Sequence, residues 1–141
     1  MNYLTKDDLI TSTFERFIDE SSDDHDDILE KVETQNIELI KSYIGTRYNV
    51  LEIFSVAAPI RNTILVRILI KLVMFDIIRR NAARKVPTDY KEEYDKAIEL
   101  LEKIATGRIK LDGLPGPVDE NGNPVQSNSL WGNNTNKNFY I

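Results

Sequence analysis

The sequence predicts an all-α protein, a compact bundle of about four helices around a long central helix, with an extended C-terminal arm. Three observations carry that prediction. Residues 59–85, PIRNTILVRILIKLVMFDIIRRNAARK, open on a proline and contain no glycine, and their apolar residues cover more than the roughly 100° stripe of a surface helix. Residues 89–106 place Tyr90, Tyr94, Ala97, Ile98, Leu101, Ile104 and Ala105 at helical spacing opposite a charged face. From Asp112 onward the composition turns to asparagine, glycine and proline, with too few aliphatics to order itself alone. The expected division is therefore a helical body over residues 1–111 and an arm over residues 112–141.

The chain is long enough for one domain with a sizeable core. It has no cysteine, which excludes disulfides and thiolate metal sites and fits a cytosolic life. No basic region followed by an apolar run opens the sequence, so no signal peptide is expected. A membrane span is the rival reading of residues 59–85, but Arg61, Arg67, Lys71, Asp76, Arg79 and Arg80 interrupt it. Each charge near a bilayer centre costs about 2.5–3.5 kcal/mol.

Charge is unevenly spread. Residues 1–40 carry 3 basic and 12 acidic groups, a net of -9, whereas residues 41–85 carry 9 basic and 2 acidic groups, a net of +7. Two accounts stand open: the segments neutralise one another inside the monomer, or the acidic face of one subunit meets the basic face of the next in a closed ring.

In chain order, Thr5-Lys6-Asp7-Asp8 reads as a helix start, with Thr5 as cap, Asp8 three residues on and Leu4 stapled to Leu9. That first helix is expected to run to about Ile18. Asp19 to Glu30, DESSDDHDDILE, has oxygen-bearing side chains at the intervals of a calcium loop, but Asp24 stands where the sharp turn needs glycine and Asp26 where an apolar residue is usual. These carboxylates suit the N-terminus of a second helix better. His25 is the only histidine and lacks companions for a zinc site.

The second helix is expected from about His25 to Ile44, burying Ile28, Leu29, Val32, Leu39, Ile40, Tyr43 and Ile44 and ending near Gly45. Asn49 to Ala58 is too apolar for an idle loop; Leu51, Ile53, Phe54 and Val56 fold back on the core or meet a neighbouring subunit, and the pattern leaves both open. The long helix is expected over Pro59–Lys85. Asp76 falls among its apolar residues and needs a partner, for which Arg47 or a tyrosine hydroxyl is the candidate. Thr88 is the expected cap of the fourth helix, Gly107 its end, and Ile109-Lys110-Leu111 a short extended piece. In the arm, Asn121-Gly122 signals a tight hairpin, and Trp131, Phe139, Tyr140 and Ile141 are the candidate anchors on a partner. Fully extended, the arm reaches at most about 100 Å.

No Gly-rich phosphate loop, nucleophile elbow, His-Glu helix pair or paired apolar carboxylates occur. No enzyme activity, cofactor or metal is expected. Arg79, Arg80, Arg84 and Lys85 cluster where cations suit a helix C-terminus, and they also support an alternative reading as a helical regulatory or nucleic-acid-associated module.

The order of Leu4-Thr5-Lys6-Asp7-Asp8-Leu9, Ile40-Lys41-Ser42-Tyr43-Ile44 before Arg47-Tyr48, a proline and long apolar helix carrying Asp76-Ile77, and Tyr94 to Ala105 leading to Gly107 and Leu111 resembles the Mu-like head-completion proteins of tailed phages. The resemblance covers about residues 3–111. It implies a head-tail connector, or adaptor, subunit without catalytic residues, forming a homo-oligomeric, commonly dodecameric ring in the virion. Such a ring docks beneath the portal protein, meets a tail or tail-completion protein, and leaves a channel through which DNA passes without specific binding. The apolar segment around Val50 to Ala57 and the Asn-rich tail depart from the usual pattern.

Overall fold

The computed structural model describes residues 2–12, 26–81 and 86–125. Among them are five helices: α1 (Lys6–Ser12), α2 (Asp26–Ile44), α3 (Val50–Ile53), α4 (Thr63–Asn81) and α5 (Thr88–Ala105). The protein is all-α, and no strand occurs among the described residues, Ile109 to Leu111 included. Leu111 is buried, its N–H donating to the Tyr48 hydroxyl at 2.8 Å.

α4 is the centre. α2 and α5 pack on it and on each other, and α1 lies along it. Leu65, Leu69, Leu72 and Val73 of α4 are wholly inaccessible, as are Ile40 and Ile44 of α2 and Leu101 and Ile104 of α5. Each such side chain contributes about 1.5–3 kcal/mol by leaving water. α5 follows the expected pattern, with Tyr90, Tyr94 and Ile98 partly buried beside Ala97, Leu101 and Ile104, and the Tyr94 ring lying 4.4 Å from that of Phe75. Among the described residues, no helix is long and apolar enough to cross a membrane.

Two boundaries differ from expectation. α4 begins at Thr63, not Pro59, because Asn62 takes the cap: its Oδ1 accepts from the N–H of Ile64 at 2.9 Å and of Leu65 at 3.2 Å. The preceding residues are tied elsewhere, Ile60 N–H to the Ile53 carbonyl (2.9 Å) and Ile60 carbonyl to the Tyr3 hydroxyl (3.0 Å). α5 is capped by Pro87, without a side-chain bond, and Thr88 is its first helical residue. The expected stretch to Ile18, the acidic loop with His25, and Arg84 and Lys85 lie outside the described residues.

At α1 the capping box forms as expected. Thr5 N–H donates to Asp8 Oδ2 at 2.7 Å and Asp8 N–H donates to Thr5 Oγ1 at 3.3 Å. Gly107 follows α5 at φ +79°, a conformation that costs a residue with a Cβ about 1–2 kcal/mol.

Candidate interaction surfaces

The N-terminal strap is held by a buried acid. Along α2 the inward positions are Leu29, Val32, Glu33, Asn36, Ile37, Ile40 and Ile44, so two polar residues sit in the middle of an apolar stripe. Glu33, 1% exposed, accepts three consecutive backbone N–H groups: Asn2 at 2.8 Å, Tyr3 at 3.0 Å and Leu4 at 2.6 Å. Charge-assisted bonds of this kind are worth about 1.5–3 kcal/mol each. They lead Tyr3 and Leu4 into the core. The Tyr3 hydroxyl donates to the Ile60 carbonyl and accepts from Asn62 N–H at 3.1 Å, stitching the strap to the start of α4. Burial pushes that phenol's pKa above its usual value, against the opposing effects of the Asn62 bond and Arg61.

Asn36 continues the polar row. Its amide donates to the Val32 carbonyl at 2.9 Å and to Asp76 Oδ2 at 2.8 Å, joining α2 to α4. Asp76 is half-buried, and Tyr94 faces it: burial first, then the negative fields of Asp76, Tyr43 and Asp95, raise the Tyr94 pKa, with Arg79 opposing. Arg47 is not the partner of Asp76. It is exposed, donates through Nε to the Ala105 carbonyl at 2.7 Å, and lays its guanidinium where a Cβ on Gly107 would come within 2.6–2.7 Å. It serves the negative end of α5 instead.

The apolar segment 50–58 divides. Asn49 caps α3 through the Glu52 N–H, which turns Ile53 fully inward and sets Phe54 half-buried, its ring 4.8 Å from Tyr3. Ile53 therefore belongs to the core, a correction to its candidacy as a partner contact, while Phe54 packs against that core and keeps part of its surface exposed. Leu51 and Val56 point the other way, 76% and 78% exposed, with Ala57 and Ala58 exposed beside them. The helical geometry of four residues separates Leu51 from Ile53, which no periodicity over so short a run reveals.

A second feature lies between α4 and α5. Two adjoining clefts of about 280 and 230 Å³ share Arg67 and Lys71; Ile70, Met74 and Tyr90 line one, and Ile64, Ile68, Ala97 and Leu100 line the other. Lys71 is bonded to Glu93 at 2.7 Å, and that bond, with a second from Lys96, lowers the Glu93 pKa. Arg67 is exposed and forms no ion pair among the described residues. Across the helices, Arg61 pairs with Asp8 at 2.7 Å, one point at which the acidic and basic segments meet within the monomer. Arg79 and Arg80 are exposed at the end of α4.

The arm starts on the body. Pro115 carbonyl accepts from Asn49 N–H at 2.9 Å, and a tight antiparallel turn follows, with Val118 bridged to Pro124. Asp119 organises it, its carboxylate accepting from Asn121 and Asn123 N–H, while Gly122 takes φ +80° as the Asn-Gly pair predicts. Trp131, Phe139, Tyr140 and Ile141 lie outside the described residues.

A family model described as Bacteriophage Mu, Gp36 matches residues 3–128. The chain belongs to that family. Among curated proteins no match is found. The Gp36 match begins at the strap held by Glu33, spans all five helices and takes in the 118–124 turn, which is further than the expected 111. It stops short of Trp131 and the terminal aromatics. Membership of the Gp36 family makes this a phage protein of the structural and morphogenetic kind.

Proposed function

We propose that this Gp36-family protein is a head-tail connector subunit, a non-catalytic part that forms a ring below the portal protein, joins the capsid to the tail and leaves a channel for DNA. The observation that carries this reading is a well-satisfied helical body that nevertheless holds Leu51 and Val56 out in water. Exposed aliphatic side chains on a rigid support suit a protein whose working parts are contacts. Family membership over residues 3–128 supports the same reading. In it the virion's head-tail interface is the site of action, with the portal protein and a tail or tail-completion protein as partners.

The arm completes the grip, Trp131, Phe139, Tyr140 and Ile141 serving as anchors on the portal. Because Pro115 is bonded to Asn49, the informative truncation falls after Val125 rather than at Asp112. Protein lacking residues 126–141 is expected to fold with an unchanged far-UV circular dichroism spectrum and to lose binding to purified portal rings. Full binding by the truncated protein would remove the arm from the mechanism. Native mass measurement and low-resolution imaging of portal-bound protein test the ring; a single subunit per portal would overturn it.

A further inference from the structure

The apolar corner formed by α3 and the residues after it, and the α4–α5 groove, are both apolar, carry opposite charges at their edges and share no residue. Leu51 and Val56 supply two branched side chains that project from the body. Ile64, Ile68, Ala97 and Leu100 supply a mainly apolar cleft of about 230 Å³. A cavity of about 150 Å³ accommodates a benzene-sized group, so the cleft has room for a leucine side chain. Glu52, exposed between the two projecting residues, forms no ion pair among the described residues, and neither does Arg67 on the rim of the groove. An unneutralised acid beside the knob and an unneutralised base beside the socket are what a self-recognising pair of surfaces needs.

We propose that the Leu51–Val56 corner of one subunit seats in the α4–α5 groove of the next, with Glu52 paired to Arg67 across the contact. Knob and socket lie on different parts of the chain, so the contact is heterologous and propagates head to tail, closing into a ring when the rotation allows. The proposal deepens the connector reading and rests on it, since it names the surface through which the ring's subunits meet.

Sedimentation velocity of the full-length protein at one fixed concentration tests the contact. Leu51→Asp is expected to weaken self-association at least tenfold. Glu52→Arg and Arg67→Glu are each expected to weaken it, and the double variant to regain most of the loss. All three positions are exposed, and circular dichroism checks that each variant is folded. The chain has no cysteine, so mixing Leu51→Cys protein with Ile64→Cys protein under oxidation gives a clean second readout. A mixed disulfide dimer is expected here and not between Leu51→Cys and Lys103→Cys.

Rings unaffected by all the substitutions would overturn this contact and leave the connector reading standing. Failure of the double variant to recover would likewise overturn the Glu52–Arg67 pairing. A specific cross-link supports the contact even if the free protein sediments as a single subunit. Wild-type protein that neither assembles nor cross-links would overturn the contact, whereas the connector reading is then judged on portal rings alone.

Discussion

The strap end of the molecule and the α3 corner treat polarity in opposite ways. At the strap a carboxylate lies in the core, and three backbone donors in bonding range offset the cost of its burial. At the corner, aliphatic side chains stand in water although a core lies one turn away and has accepted Ile53. The first arrangement makes sense within a single chain. The second suits a surface that is covered in the assembly proposed above. The two regions are neighbours and share Tyr3, whose ring lies tilted at 53° and 4.8 Å from that of Phe54 and whose hydroxyl anchors the start of α4.

If the strap is a structural lock, Glu33→Ala strands the buried N–H groups of Tyr3 and Leu4 and is expected to cost about 3 kcal/mol or more, measured by urea unfolding. A loss below about 1 kcal/mol would mean that the strap is loosely held. Gly107→Ala comes next, at about 1–2 kcal/mol, since alanine must take the positive φ and displace the Arg47 guanidinium. Asn62→Ala is expected to cost about 1 kcal/mol through the lost cap of α4. At the corner, Leu51→Asp is expected to change monomer stability by less than about 0.5 kcal/mol while weakening self-association at least tenfold. A large stability loss there would show that the corner belongs to the body after all.

The smallest effect is a pH dependence. Burial alone would raise the Asp8 carboxyl, but the Thr5 backbone and side-chain bonds and Arg61 more than offset it and hold the pKa below its ordinary value. A depressed carboxylate adds stability that is fully present above its ordinary pKa, near 4, and is lost as pH falls through the lower folded value. Acid titration of wild type and Asp8→Asn by circular dichroism should therefore converge at low pH.

The helical class, the core of α4 and the face of α5 were legible because long runs repeat their pattern. Glu33 was not, since one acid in an acidic helix looks like solvent-facing charge; the visible clue was that Glu33 and Asn36 fall inside the stripe running from Leu29 to Ile44. Asp76 announced its need for a partner but not which one, and the amide of Asn36 reached it where Arg47 did not. Pro59 drew the start of α4 too early because a proline signals where a helix is allowed to begin, whereas Asn62 supplies the bonds that begin it. The split of Leu51 from Ile53 depends on a single turn of helix whose orientation is set by tertiary contacts.

The Asn49–Pro115 hydrogen bond has a consequence for how the molecule would engage two neighbours. It fastens the root of the C-terminal extension to the foot of α3, so the chain leaves from the same vertex that displays Leu51. With the corner seated on one neighbour as proposed above, the 118–124 turn is held beside that contact and would be presented to a second partner from the same vertex. One docking event would thus set the position of both surfaces.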